Sequence, residues 1–252
     1  MKIAIYTCNF GNYRNEFRFF YNTFFDKNID YFLFTDKIIS EEENTKLNKW
    51  TVCNIPLLEG DEIMDSNRLT SKYVKFVLPD KLHNYDVIVW VDNKIISKTY
   101  FINFLTYNKI INLFQSYNTL VFNIKHLERK TIQEELELTI KLNIENAESG
   151  QYFLNYINNY ISKFDLPDTC LIIKKNDQNV NDAFENCFAL MTKYKLKRDQ
   201  NIYNYALDEK GITPILLDIH NFEKNKPLDK TLNNSFNFHK KIRKTRVMPM
   251  YM

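Results

Sequence analysis

The stretch Asp86-Val87-Ile88-Val89-Trp90-Val91-Asp92 decides how this chain is read. Four β-branched residues and a tryptophan in unbroken succession favour extended backbone. The run is apolar on both faces, as a central strand of a covered, mostly parallel sheet has to be. It is also far short of the roughly 20 apolar residues that cross a bilayer. Working outward, strand and helix patterns alternate. Toward the N-terminus lie a strand at 2–7, a helix-spaced aromatic segment at 14–25, strands at 30–36 and 49–57, and a helix at 66–78 ended by Pro79. Toward the C-terminus lie one or two helices over 97–117, a strand at 119–125, helices at 131–145 and 151–164, a strand at 169–174, helices at 182–196 and 199–209, and a last strand at 214–218. This alternation predicts an α/β three-layer sandwich around a mostly parallel central sheet. No repeat, linker or charge shift interrupts it before about residue 222, so one domain over 1–222 and a separate tail over 223–252 are expected.

Charge is distributed unevenly. The chain carries +3, yet the segment from Lys230 to Met252 holds six basic residues and no acid, which leaves −3 on the other 229 residues. Bulk charge therefore gives nucleic acid no broad basic face. With only 4 Gly against 32 Asn, a glycine-rich phosphate loop is excluded, and asparagine is expected to supply the left-handed turns. The 20 Phe and 16 Tyr spread along the whole length and read as core filling and groove lining. Cys8, Cys53, Cys170 and Cys187 show no metal-ligand spacing and read as free thiols of a reducing compartment. Lys2 followed by Ile3 to Tyr6 is too short for the apolar region of a signal peptide, so a cytoplasmic protein without a transmembrane segment is expected.

Four constellations could carry chemistry, and each has two readings. Asp92-Asn93-Lys94 closes the central strand, where ligands of open α/β sheets bind; Asp92 either holds a divalent cation on a substrate diphosphate or caps the next turn. Arg68, Lys72 and Lys75, at i, i+4 and i+7, share one helix face that either neutralises a diphosphate or is simply solvated. In Arg198-Asp199-Gln200, Asp199 either caps a helix or binds a sugar hydroxyl and takes its proton. The tail around His239 is either a disordered terminus or a flap over an anionic donor that lends His239 to a metal. Meanwhile no nucleophile elbow, zinc-protease pair, phosphate loop or dinucleotide fingerprint occurs.

Taken in order, these pieces resemble a family. Arg68-x-x-x-Lys72-x-x-Lys75 with Pro79, Tyr85-Asp86, Trp90-Val91-Asp92-Asn93-Lys94-Ile95, His126-x-x-Arg129 before Glu134-Glu135, Gln151-Tyr152, Leu166-Pro167 with Ile172-Ile173, and Arg198-Asp199-Gln200 follow one another over about residues 60 to 208. Tyr6-Thr7, Gly11-Asn12-Tyr13 and Phe34-Thr35-Asp36 extend the likeness more loosely. The series resembles the glycosyltransferase-like domain shared by plant turgor-regulation and seed-mucilage proteins and by bacterial and viral relatives. That resemblance implies a GT-A-like fold and transfer of a sugar from a nucleotide-sugar donor to a glycan or other hydroxyl acceptor, with Mn²⁺ or Mg²⁺ on the diphosphate. It implies Asp92 as the metal carboxylate, with Lys94 in place of the second acid of the family motif; either Lys94 stands in for part of the cation's charge on the diphosphate, or Asp92 and His239 share the metal. Thr7, Asn9 and Asp36 would surround base and ribose, and Arg68, Lys72, Asn93 and Lys94 would sit near the diphosphate. His126, Arg129, Gln151, Arg198 and Gln200 would line the sugar and acceptor side, with Asp199 as base or acceptor anchor.

Two other classes are compatible with parts of the sequence. A ceramidase-like lipid amide hydrolase is suggested by one plant relative, but the activated nucleophile or compact metal set that such chemistry needs is not visible here. A non-catalytic protein binding anions or nucleic acid through the tail would show steeply salt-dependent binding.

Overall fold

A computed structural model describes residues 1–11, 17, 20, 25–47, 49–96 and 105–217. Most of the expected helix at 14–25, the first part of the 97–117 segment, the side chain of Lys94 and the whole tail with His239 lie outside the described residues.

Seven strands form one sheet in the order β3-β2-β1-β4-β6-β5-β7: β1 Ile3–Asn9, β2 Asp30–Thr35, β3 Trp50–Asn54, β4 Val87–Val91, β5 Val121–Lys125, β6 Pro167–Lys175 and β7 Ile215–Leu217. Pairing is parallel throughout except at β6, which runs antiparallel to both β4 and β5. The sheet is thus mostly parallel, as the sequence predicts. Every residue of β1 and of β4 is buried, so both faces of the central strands are covered, which gives the expected three-layer α/β architecture. On one face Tyr6, Phe34 and Trp90 pack edge-on against each other, with ring centroids 6.1 and 5.2 Å apart. They join a core with Val74, Phe76, Phe184 and Tyr203 from the covering helices.

The helices are α1 Glu41–Lys46, α2 Ser66–Phe76, the single turn α3 Asn93–Ile96, α4 Tyr107–Ser116, α5 Ile132–Lys141, α6 Ala147–Tyr156, α7 Gln178–Tyr194 and α8 Tyr203–Glu209. Their starts are written in local side-chain chemistry. Asp65 accepts from the Arg68 amide at 2.9 Å to begin α2, and Thr131 with Glu134 forms a reciprocal capping box on α5. The turns bear out the asparagine expectation: of the described non-glycine residues with positive φ, two are Asn143 and Asn159 and the third is Lys195. No helix of the described residues is long and apolar enough to cross a membrane.

Several elements differ from the sequence reading, and α7, for one, begins at Gln178, ahead of the expected 182. Helix α6 begins at Ala147, ahead of the expected 151, because Asn146 caps it and Gly150 lies inside it. A Cβ at Gly150 would stand 2.6 Å from Ile140 Cδ1, so this glycine permits close helix packing and does not break the helix. Helix α1 was not expected: it buries no residue, so it leaves no apolar period to read. The helix expected over 199–209 divides into a 3₁₀ turn, Asp199–Asn201, and α8.

One topological feature positions everything that follows. The chain steps outward from β1 to β2 to β3 and then returns to place β4 on the other side of β1. The strand order therefore reverses between β1 and β4, and open α/β sheets bind ligands in the crevice beyond the carboxyl ends at such a point.

Candidate functional site

Asn9 ends β1, Asp36 follows β2, Asp92 follows β4 and His126 follows β5, so these four residues share the carboxyl edge of the sheet. Asp92 lies beside the reversal point. Its amide donates to Cys170 O on β6 at 2.9 Å, and its carboxylate accepts from Trp90 Nε1 at 3.0 Å. Asn93, half-buried, opens the turn α3 behind it.

Beneath Asp92 lies an ion-pair network. Lys72 and Lys75 project from α2 and Asp199 from the 3₁₀ turn after α7. Lys72 Nζ is 3.0 Å from Asp199 Oδ1, Lys75 Nζ donates to Asp199 Oδ2, and Lys75 Nζ is also 3.8 Å from Asp92 Oδ1. The Lys75 and Asp199 side chains are 3% and 5% exposed, whereas those of Lys72 and Asp92 retain 19% and 26%, so the network opens toward solvent through the latter pair. Burial alone would lift the Asp199 carboxyl, but the two ammonium groups outweigh it and hold it well below the usual carboxylate range. Burial pulls Lys75 down, yet Asp199 and Asp92 together raise it above an ordinary lysine. For Lys72 burial, helped by its neighbour Lys75, prevails, and its pKa is lowered.

Both bland readings of these residues are thereby corrected. Asp199 makes no capping bond, because its oxygens are drawn to the lysines of α2. The basic face is not uniformly solvated: Lys72 and Lys75 turn inward, and only Arg68, 41% exposed and 3.8 Å from the exposed Asp65, remains at the surface.

A second cluster lies on the His126 side. His126 Nδ1 accepts from the amides of Glu128 and Arg129 at 3.2 and 3.1 Å, and Arg129 Nη2 lies 3.0 Å from His126 Nε2. The fully buried Glu135 accepts from Arg129 Nε and stands 3.0 Å from Arg198 Nη2, which also donates to Gln200 Oε1 at 3.1 Å. Glu145 braces the same loop from the other side, accepting from the amides of Lys197 and Arg198 at 2.9 and 3.1 Å and from Asn201 Nδ2 at 2.8 Å. His126, Arg129, Arg198 and Gln200, all expected from the sequence, are therefore gathered by two acids to which the sequence reading assigned no role. Glu135 carried a readable signal: it falls three residues after Ile132 on the buried face of α5, where an acid requires a cation. Glu145 lies in a connection between helices and has no such pattern.

The remaining expected residues are spread more widely. Thr7 and Asn9 are buried, and Thr7 Oγ1 and Asn9 Oδ1 have no hydrogen-bond partner among the described residues. Asp36 accepts from the Gly11 amide at 2.9 Å, and Gly11, at φ +60°, could not carry a Cβ without meeting the Asn67 side chain. Gln151 is exposed on α6 and donates along its own helix to Asn155 at 3.2 Å, which gives it no contact with the Arg129–Arg198 cluster.

Among the described residues, which do not include His239, the donor set beside Asp92 does not match a divalent cation. No three His, Cys, Asp or Glu side chains converge among the described residues. The other acid of the site, Asp199, is separated from Asp92 by the Lys75 ammonium.

No family model matches the chain, and no curated protein does. Among solved structures, it is similar to a galactosyltransferase, LgtC, in complex with donor and acceptor sugar analogues, at 10% identity over 85% of this chain and 73% of that one, TM-score 0.46. It is similar to a 4-diphosphocytidyl-2C-methyl-D-erythritol synthase of Anaerococcus prevotii, at 10% identity over 86% of each chain, TM-score 0.45. It is similar as well to the mannosyltransferase Ktr4p of S. cerevisiae in complex with GDP, at 11% identity over 85% of this chain and 69% of that one, TM-score 0.43.

Proposed function

We propose that this chain is a glycosyltransferase that moves a sugar from a nucleotide-sugar donor to a glycan or other hydroxyl acceptor. One observation carries the reading: Lys72, Lys75, Asp92 and Asp199 converge at the carboxyl edge of the sheet, beside the point where the strand order reverses. Glycosyl transfer passes through a cation-like sugar while a nucleoside diphosphate departs, so fixed positive charge at the phosphates stabilises what develops in the transition state. In this reading the partly exposed Lys72 meets the diphosphate. Asp199, expected from the sequence as base or acceptor anchor, becomes a positioning group, since both its oxygens are engaged and its depressed pKa makes it a weak proton acceptor. Arg129, Arg198, Gln200 and His126, braced by Glu135, face the sugar and acceptor. Thr7, Asn9 and Asp36 remain with the nucleoside side, Asn93 stays near the diphosphate, and Arg68 lies at the rim of the donor site.

A thermal-shift panel of UDP, GDP and CMP sugars tests this. A donor at a hundred times its Kd stabilises by about 2.7 kcal/mol, a rise in Tm of roughly 5–10 °C for a domain of this size. The rise should vanish in Lys72→Met and Asp92→Ala. Absence of a shift with every donor, together with fatty-acid release from ceramide, would replace the transferase by the hydrolase.

A further inference from the structure

Two carboxylates with one ammonium between them form an unusual centre for a ligand site. Asp92 comes from the end of β4 and Asp199 from the turn after α7, 107 positions later in the chain, yet both face Lys75 Nζ. Two aromatic rings also flank the ammonium: Nζ lies 5.4 Å from the centroid of the Trp90 ring and 5.5 Å from that of Phe76. An ammonium is a compact point charge with three donors, and here it is enclosed as a bound ion would be. Lys72, on the outer oxygen of Asp199, brings a second positive charge, so the pair of lysines carries the same charge as one divalent cation.

We propose that the Lys75 ammonium takes the place of a divalent cation between Asp92 and Asp199, so that the site works with a built-in cation. In its use of a donor diphosphate this rests on the transferase reading; the occupancy of the cation position does not. The consequence is chemical. A metal bridging two acids would bring vacant coordination positions to the phosphates, whereas Lys75 donates to Asp199, with Asp92 3.8 Å away, and passes its effect outward through Asp199 to Lys72. Lys75 is thus a positioning residue, and Lys72 is the group that touches the ligand.

The test uses the full chain and Mn²⁺ alone, read by the loss of the free-ion electron paramagnetic resonance signal, with circular dichroism to confirm folding. Wild type should leave Mn²⁺ free. Lys75→Ser, which removes the ammonium and leaves both carboxylates, should gain a one-to-one Mn²⁺ site that is lost again in Lys75→Ser with Asp92→Asn. Lys75→Gln, close in size and bringing an oxygen ligand, serves if the serine variant does not fold. A one-to-one Mn²⁺ site in wild type that disappears in Asp92→Asn overturns the proposal, as does failure of both folded Lys75 variants to bind Mn²⁺. A second arm titrates UDP, GDP and CDP calorimetrically in EDTA and in Mn²⁺. Equal affinity in the two buffers is the expected result. Tightening by Mn²⁺ of tenfold or more overturns the proposal and leaves the transferase reading standing. Binding of no nucleotide in either buffer is a failure of the transferase reading instead, and the Mn²⁺ arm still decides the cation.

Discussion

Lys75 and Lys174 are the same residue type, both within 3% of complete burial, at opposite ends of one sheet. Lys75 reaches the carboxyl edge and meets two acids. Lys174, at the other edge where β6 pairs with Ile88 and Val121, donates to the neutral Asn181 Oδ1 at 2.8 Å and lies 4.3 Å from the Phe184 ring centroid. Their pKa values move in opposite directions. Burial lowers Lys174 to about 7, offset only in part by Glu185, while Asp199 and Asp92 raise Lys75 against the same burial. Partners, then, and not depth decide which buried lysine is a permanent cation. Lys75, paired with acids, lies at the carboxyl edge, where open α/β sheets bind ligands; Lys174, whose burial Glu185 offsets only in part, lies at the opposite edge.

The sharpest way to break this contrast is to take the acid from Lys75. Asp199→Ala leaves the buried Lys75 with only Asp92 and the partly exposed Lys72 without its acid, and removal of one partner of a buried pair costs about 3–5 kcal/mol. Denaturant midpoints should fall accordingly, with an unchanged m-value. Adding Lys75→Met to Asp199→Leu should recover most of the loss, since apolar replacement of a whole buried pair is often neutral. A single Asp199→Ala variant within about 1 kcal/mol of wild type would mean that the lysines relax to solvent, and the contrast with Lys174 would collapse.

Lys174 gives the next effect, through pH. Between about 7 and 10.5 the unfolded chain holds this proton and the folded chain does not, so stability rises with pH across that window. The slope contributed is at most about 1.4 kcal/mol per pH unit. Below about 7 both states are protonated and the penalty is constant; above 10.5 both are neutral and it is gone. Lys174→Met should therefore be more stable than wild type at pH 7, with the advantage shrinking toward pH 10. An advantage independent of pH would show that Lys174 keeps its proton in the fold.

The same contrast explains how much of the molecule could be read beforehand. Strand β4, the start of α2 and the capping box of α5 are local patterns, and the residues that cause them are neighbours in sequence. The face shared by Lys72 and Lys75 was legible for the same reason. That it points inward was not, because its partner Asp199 lies 124 positions from Lys75. In its own sequence surroundings Asp199 reads as a cap or as a group for a sugar hydroxyl, and neither reading reaches the lysines of α2. Gly150 shows the same limit: its place inside α6 rests on the packed Ile140 side chain, which no local pattern announces. For Lys174 the sequence offers a lysine at the end of a strand and nothing that announces a neutral partner.

Arg68 supplies the smallest effect and closes the comparison from the solvent side. It shares the α2 face of Lys72 and Lys75, but it is 41% exposed, and its ion partner Asp65 is 59% exposed at 3.8 Å. High dielectric and side-chain entropy leave such a pair worth about 0–1 kcal/mol. Arg68→Ala should therefore barely move the denaturant midpoint, even though the same helix carries the most sensitive ion pair of the site. If Arg68 also lies at the rim of the donor site, its removal should weaken binding of the active nucleotide sugar more at low salt than at physiological salt, because an exposed charge acts through a screened field. A stability loss in Arg68→Ala comparable to that of Asp199→Ala would contradict the division of this helix face into an inner, paired half and an outer, solvated one. Loss of binding that does not change with salt would place Arg68 inside the site, in direct contact with the phosphates.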